Sequence, residues 1–210
     1  MRKIILAGAM ALGAVAATGT PAQAADLQGP ENFKVKLVYM NGTGCPAGSV
    51  TTAIEEDREA FIITFSKFTA QVGPKAAATD MRKACKVGIS LDIPADFTYS
   101  ITRLIHSGYA NLAAGATAQE RAIYNWIGEP SETFTHPLTG PYDDNWSFTD
   151  EVESGLVTEH PCGDERILNA NVDVTVRPGT SNPKKETSFI TLDSVETSFS
   201  TKFQLQWRAC

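Results

Sequence analysis

The sequence contains only one long apolar run, and that run lies at its N-terminus. Basic residues Arg2 and Lys3 precede an apolar stretch at 4–17, and residues 22–24 read Ala-Gln-Ala. A basic start, an apolar middle and a small-x-small ending predict a secretory signal peptide over 1–24. A transmembrane helix needs about 20 uninterrupted apolar residues, which this run does not supply. We therefore expect a secreted, extracellular protein without a membrane span.

Basic residues are outnumbered by acidic ones. The chain has 18 Lys and Arg against 24 Asp and Glu, and removal of residues 1–24 would leave 16 basic residues and a net charge of −8. Such a surface repels phosphate backbones and anionic lipids, so we expect no nucleic-acid or membrane partner. Residues 25–210 show no linker or low-complexity tract and can form one domain with its own core. We expect that domain to be a monomer.

Cysteine is scarce, and no Cys-x-x-Cys pair is present that would indicate a zinc site. An even number of cysteines in an exported chain predicts disulfides, here two. Three pairings are possible, and we favour the sequential one because it closes two separate loops. On the chain-entropy model each loop would stabilise the fold by about 4 kcal/mol. The four cysteines are Cys45, Cys85, Cys162 and Cys210, paired as Cys45–Cys85 and Cys162–Cys210.

Helical patterns are nearly absent. The one helix candidate is the alanine-rich segment 75–84, which is two or three turns long at most. Elsewhere, apolar and polar residues alternate in about ten to twelve short segments separated by glycine and proline. The sequence predicts an all-β fold, a disulfide-braced antiparallel β-sandwich with one short helix, for which a jelly-roll-like topology is one arrangement.

Three local patterns lead to specific predictions. Segments 85–93 and 97–105 alternate on either side of a Pro-Ala-Asp turn, which predicts a hairpin at the centre of a sheet. Segment 117–127 carries both a helix-capping motif and a strand alternation, and we predict a strand. Pro137 places segment 133–138 at a sheet edge, and 139–145 is predicted to be a loop.

The three histidines show no catalytic pattern. His106 precedes Ser107, which lacks the Gly-x-Ser-x-Gly motif of a nucleophile elbow. His136 and His160 lie in different settings. We predict ordinary surface or edge histidines.

Acidic residues cluster near the middle of the chain, at Asp143, Asp144, Asp150, Glu151 and Glu153. A solvated loop is the simplest interpretation. Asp143 and Asp144 are weak calcium candidates, because calcium prefers carboxylate and carbonyl oxygens. We expect no other cofactor or metal and assign no catalytic residue.

Four aromatic residues allow two interpretations. They could form a platform for sugar rings or apolar ligands, but at strand spacing we favour a place in the core. The four are Tyr124, Trp126, Tyr142 and Trp146.

Seven segments together resemble the DUF4360 family of secreted proteins from actinobacteria and filamentous fungi. The segments are 44–49, 68–74, 82–85, 108–115, 161–163, 168–169 and 207–210. The resemblance implies a small exported β domain that contains these four cysteines. It supplies no catalytic residue, and this chain differs in having more acidic residues near its middle.

Three functional hypotheses remain open. We favour a non-enzymatic domain whose exposed loops bind an extracellular glycan, a cell surface or a protein. The second is a polysaccharide hydrolase that uses Asp143, Asp144 or Asp150. The third is an inhibitor of extracellular proteases that presents the cysteine-braced loop 42–49.

Overall fold

The computed structural model describes residues 28–152, 156, 161–192 and 200–210, so the expected signal peptide, Glu153 and His160 lie outside the described residues. The described residues form twelve strands and one 3-10 turn. The strands are β1 Lys34–Asn41, β2 Val50–Ile54, β3 Ala60–Phe65, β4 Thr69–Val72, β5 Arg82–Asp92, β6 Phe97–Leu112, β7 Thr117–Trp126, β8 Glu132–Thr139, β9 Tyr142–Glu151, β10 Ile167–Arg177, β11 Ser188–Thr191 and β12 Ser200–Ala209.

The strands form two antiparallel sheets that enclose one core. The five-stranded sheet has the order β1-β5-β10-β7-β8, and the seven-stranded sheet has the order β2-β3-β12-β6-β11-β4, with β9 on the other side of β6. Phe61 and Phe203 stack in the core at a centroid distance of 4.5 Å, and Trp126 is also fully buried. The predicted all-β antiparallel sandwich is confirmed. No helix in the described part of the chain is long and apolar enough to cross a membrane.

Two disulfides fix separate parts of the sandwich. Cys45 is bonded to Cys85 with a Cα–Cα distance of 5.4 Å, and Cys162 is bonded to Cys210 with a Cα–Cα distance of 6.1 Å. This is the sequential pairing favoured from the spacing. The first bond attaches the loop after β1 to β5, and the second holds the C-terminal residue.

The hairpin predicted for 85–93 and 97–105 is wrong. β5 lies in the five-stranded sheet between β1 and β10, whereas β6 lies in the seven-stranded sheet between β12 and β9. The turn at 94–96 therefore carries the chain from one layer to the other. Both strands have their hydrogen-bonding edges filled by strands distant in sequence, and alternation alone does not identify those partners.

The helix predicted at 75–84 is also wrong. Only Ala78–Met81 forms a 3-10 turn, and Arg82 already begins β5, where it pairs with Thr175 of β10. A helix of ten residues is marginal in water even when alanine-rich. Ladder hydrogen bonds to β10 and burial of Cys85 therefore outweigh the local helix propensity.

The predictions around β7 to β9 have mixed outcomes. Segment 117–127 is a strand as predicted, and Pro137 lies on edge strand β8. The predicted loop 139–145 is wrong, because β9 starts at Tyr142 and pairs with β6 throughout its length. The sharp turn between β8 and β9 leaves only two residues outside the strands.

A bulge in β6 decides which of its side chains face the core. Arg103 pairs with Gln204, but the next pair joins Ile101 to Leu205, so β6 has one extra residue at Thr102. Before the bulge Ile101 is buried, and after it the buried residues are even-numbered, beginning with Leu104. An extra residue in a strand reverses the face of the sheet to which each later side chain points.

Candidate functional site

Four titratable side chains meet between the sheets, beside edge strands β8 and β9. His106 of β6 and Asp150 of β9 come from the seven-stranded sheet, and Glu120 of β7 and His136 of β8 come from the five-stranded sheet. We call this cluster the His–carboxylate quartet. The prediction of ordinary surface or edge histidines is wrong for His106, which is fully buried. His136 does lie on edge strand β8, but it is only 9% exposed.

The quartet is a closed ring in which imidazoles and carboxylates alternate. His136 Nδ1 lies 2.7 Å from Glu120 Oε2, and His136 Nε2 lies 3.0 Å from Asp150 Oδ1. On the other side, His106 Nδ1 lies 3.3 Å from Glu120 Oε1, and His106 Nε2 lies 3.6 Å from Asp150 Oδ2. The His136 contacts are hydrogen bonds, whereas the His106 contacts have ion-pair distances without hydrogen-bond alignment. Each carboxylate thus bridges two imidazoles.

Aromatic rings enclose the quartet. The His136 imidazole stacks on Phe148 with a centroid distance of 4.4 Å and an interplanar angle of 4°. The His106 ring lies 6.0 Å from the ring of buried Tyr124. The surroundings are therefore largely apolar, and a charge here depends on its partner inside the ring.

The electrostatics favour ionised partners. Burial raises the pKa of Glu120, but the two imidazoles outweigh burial and bring that pKa below its ordinary value of 4.5. Burial lowers the pKa of His136, but its hydrogen bonds to Glu120 and Asp150 outweigh burial and raise that pKa above its ordinary value of 6.5. Both shifts stabilise an imidazolium next to carboxylates.

The burial of the quartet argues for a structural role. A general acid or base must reach its substrate within hydrogen-bonding distance. The side chains of His106 and Glu120 are 0% exposed, and those of His136 and Asp150 are 11% and 14% exposed. The quartet therefore links the two sheets at one edge of the sandwich.

Strand alternation in the sequence contains a signal for two members of the quartet, Glu120 and Asp150. Glu120 lies two residues before Ala122, so it continues the alternation of Ala122, Tyr124 and Trp126 towards the start of β7. In β9, Asp150 has the same parity as buried Trp146. When each alternation is extended to Glu120 and Asp150, both side chains fall on the inner face of their sheets.

The calcium candidates Asp143 and Asp144 lie in β9. Asp143 accepts a hydrogen bond from the Tyr109 hydroxyl, and Asp144 Oδ1 accepts one from the Asn145 backbone N–H at 2.7 Å. Adjacent strand residues point to opposite faces of a sheet. Among the described residues, no three His, Cys, Asp or Glu side chains form a group that could hold a metal ion. The calcium site stays a prediction.

The proposed hydrolase carboxylates do not form an accessible pair. Asp150 belongs to the quartet. Asp143 lies on the outer face of β9, where its partner is Tyr109, and the adjacent Asp144 points to the opposite face of the sheet. The predicted inhibitor loop 42–49 is pinned at Cys45, which is buried, and it exposes residues 42–43 and 46–48.

The aromatic residues divide between core and surface. Tyr124, Trp126 and Trp146 are buried, and Tyr142 is half-buried. The platform that those residues could have formed is therefore absent.

A different aromatic pair lies on the outer face of the seven-stranded sheet. Tyr109 of β6 and Phe189 of β11 are half-buried, with ring centroids 5.8 Å apart and an interplanar angle of 37°. Asn111, Asp143 and Asn145 occupy neighbouring register positions on β6 and β9. We call these five residues the Tyr109 face.

Polar contacts hold Tyr109 in place. Its hydroxyl donates a hydrogen bond to Asp143, and this bond is the main cause that raises the pKa of Tyr109. The same bond, together with one from Asn111, lowers the pKa of Asp143. The hydrogen bond thereby orients the half-buried ring.

Comparison with known proteins identifies similar sequences. A family model described as Domain of unknown function (DUF4360) matches residues 31–210. A protein of Arthroderma benhamiae (strain ATCC MYA-4681 / CBS 112371), described as an uncharacterized secreted protein, is 31% identical over 182 residues, which are 86% of this chain and 73% of that protein.

Similarity to solved structures is distant. A complex of TmCBM61 with beta-1,4-galactotriose has a TM-score of 0.30 and 8% identity, and the match covers 86% of this chain and 90% of that one. The family 11 carbohydrate-binding module from Clostridium thermocellum, in complex with a beta-1,3-1,4-mixed-linked tetrasaccharide, has a TM-score of 0.24 and 11% identity, with 86% and 92% covered. Superpositions this loose support no inference about a ligand.

Proposed function

The chain belongs to the DUF4360 family, and from that premise we propose that this secreted β-sandwich is a non-catalytic module that binds an extracellular polysaccharide. Residues 1–24 would direct its export. The two disulfides and the apolar core would hold the binding face rigid, so that little order has to be gained when the ligand binds.

The observation that carries this proposal is the aromatic pair of the Tyr109 face. Tyr109 and Phe189 project outward from adjacent strands, although the core has taken up most other large aromatic residues. An aromatic ring at the surface offers an apolar face with a low conformational cost, and it is typical of recognition sites. The C–H face of a pyranose ring is a suitable partner for such a pair.

Polar neighbours supply the hydrogen bonds that sugar hydroxyls need. Asn111 and Asn145 carry amides that both donate and accept, and the Asp143 carboxylate accepts. Ser107 and Ser147 continue this polar surface, with their hydroxyl oxygens 3.3 Å apart. The Tyr109 face itself carries no basic side chain, so the composition fits a neutral, hydroxyl-rich ligand.

Affinity electrophoresis in gels that contain neutral polysaccharides tests the proposal. We expect at least one of them to retard the mature protein, without release of reducing sugar. Tyr109→Ala and Phe189→Ala should each weaken binding by about tenfold, which corresponds to 1.4 kcal/mol.

Ile127→Ala is the matched control, because Ile127 is 58% exposed and does not belong to the Tyr109 face. This variant should bind like the parent. Unchanged retardation of the Tyr109→Ala/Phe189→Ala double variant would contradict the proposed site. Release of sugar would favour the hydrolase hypothesis, and stoichiometric inhibition of a protease without glycan binding would favour the loop 42–49.

A further inference from the structure

A cationic groove crosses the outer face of the five-stranded sheet. The groove has a volume of about 470 Å³, and Arg82 and Lys86 of β5 and Arg121 of β7 line it. Asp173 of β10 is the acidic residue in its lining. Three cations against one carboxylate give the groove a local excess of positive charge, in a chain whose net charge is −6.

Asp173 holds the two arginines in fixed positions. Arg82 Nε lies 3.2 Å from Asp173 Oδ1, and Arg121 Nε and Nη2 lie 3.0 and 2.9 Å from Asp173 Oδ2. The Asp173 side chain is only 12% exposed, whereas those of Arg82 and Arg121 are 57% and 40% exposed. The carboxylate therefore lies beneath two guanidinium groups that reach the solvent.

These contacts leave most guanidinium donors for a ligand. A guanidinium has five N–H donors in a planar fork, and the contacts with Asp173 use one nitrogen of Arg82 and two of Arg121. The fork matches a carboxylate in a bidentate manner. Because Asp173 already orients both groups, less side-chain entropy is lost when a second carboxylate binds.

The rest of the lining is suited to a sugar chain. Ala84 and Ile123 provide apolar surface, and Asn41 and Asn171 provide amides that can contact hydroxyls. Arg82 and Arg121 stand on strands separated by β10, so their backbones lie about 10 Å apart across the sheet. Their guanidinium groups nevertheless converge on Asp173 and form one cationic centre, to which Lys86 on β5 adds a third positive charge in the groove.

We propose that this groove is a second binding site, for the carboxylate groups of a uronic acid polysaccharide. It lies on the opposite sheet from the Tyr109 face, and the proposal does not depend on the function assigned to that face. The carboxylates of successive sugars would contact Arg82 and Arg121, and Lys86 would add long-range attraction.

Polygalacturonate is the test ligand, and its fully methyl-esterified form is the neutral comparison. We expect the mature protein to bind polygalacturonate, to bind the ester at least about tenfold more weakly, and to lose affinity as salt is added. Arg121→Gln should weaken polygalacturonate binding by about tenfold, and Arg82→Gln/Arg121→Gln by more. Arg121→Lys should recover only part of the loss, because it keeps the charge but not the fork.

Arg103→Gln is the control, since Arg103 pairs with Glu151 on the other sheet and should bind polygalacturonate like the parent. Urea unfolding of each variant separates loss of binding from loss of folding. The proposal would be overturned if the protein bound polygalacturonate and its methyl ester equally well, or did not bind polygalacturonate at all. It would also be overturned if Arg103→Gln and Arg121→Gln lost the same amount of polygalacturonate affinity. Tyr109→Ala should leave polygalacturonate binding unchanged. The groove proposal and the binding site proposed at the Tyr109 face can therefore fail independently of each other.

Discussion

Replacement of Glu120 by glutamine tests whether the His–carboxylate quartet holds the two sheets together. Glutamine keeps the shape of the side chain but removes the charge that lies between the imidazoles of His106 and His136. One oxygen becomes an NH₂ group, so one of the two imidazole contacts, at 2.7 or 3.3 Å, must be lost or reversed.

The expected loss of stability follows from burial. Glu120 is fully buried, and removing one partner of a buried ion pair costs about 3–5 kcal/mol because the remaining charge lacks compensation. For a domain of this length, each kcal/mol lowers the melting temperature by about 2–4 °C. The melting temperature of Glu120→Gln should therefore fall by about 6–20 °C.

The loss should also depend on pH. Glu120 has a lowered pKa, so its contribution is present above its ordinary value of 4.5 and disappears as the pH falls through the folded-state pKa. His136 has a raised pKa, so its contribution is present below its ordinary value of 6.5 and disappears as the pH rises through the folded-state pKa. The two windows overlap between pH 4.5 and 6.5, and the difference between parent and variant should be largest there.

Urea unfolding across this pH range, with the disulfides intact and tryptophan fluorescence as the signal, measures the difference. Glu151→Gln is the control, because the Glu151 side chain is 63% exposed and its pair with Arg103 should contribute only about 0–1 kcal/mol. A loss below about 1 kcal/mol for Glu120→Gln, or one that does not vary with pH, would refute this account of the quartet.

Three further outcomes are expected. Gly108→Ala should cost about 1–3 kcal/mol in thermal or urea unfolding, because its new methyl group would collide with the Thr191 carbonyl oxygen on β11. Asp143→Asn should lower the pKa of Tyr109 in an ultraviolet titration of the tyrosines, because the hydrogen bond to Asp143 is the main cause of its elevation; an unchanged value would contradict the contact. Replacing the Cys45–Cys85 pair by alanines should cost about 4 kcal/mol, since the bond closes a 40-residue separation, and a near-zero cost in urea unfolding would show that the bond does not constrain the unfolded chain.

Several elements could be predicted because their signal lies in adjacent residues. The hairpin of β2 (Val50–Ile54) and β3 (Ala60–Phe65) can be recognised from two strand-like runs that a charged turn joins. β7 is a strand in spite of its capping motif, as the alternation predicts, since Ala122, Tyr124 and Trp126 share one buried face. Alternation depends only on neighbouring side chains, so it is present in any strand that has one face buried and one exposed.

His106 and Tyr109 were harder to predict than Glu120 and Asp150, because a bulge in β6 changed their orientation. The odd-numbered alternation that buries Ile101 would place His106 outside, and only the extra residue at Thr102 turns it inward. The same bulge places the Tyr109 side chain on the outer face of the seven-stranded sheet, where it forms part of the Tyr109 face. A bulge is defined by the pairing of β6 with β12, about 100 residues later in the chain, and no local pattern around Thr102 reveals it.

The sequence by itself determined most of the strand-forming segments, the acidic charge and the preferred pairing of the four cysteines, because each depends on composition, spacing or local periodicity. Only the tertiary structure decided which sheet each strand joins, that β5 and β6 occupy different layers, and that His106, Glu120, His136 and Asp150 meet in one ring. These features depend on contacts between distant segments, whose partners are selected by the packing of the whole core rather than by adjacent residues.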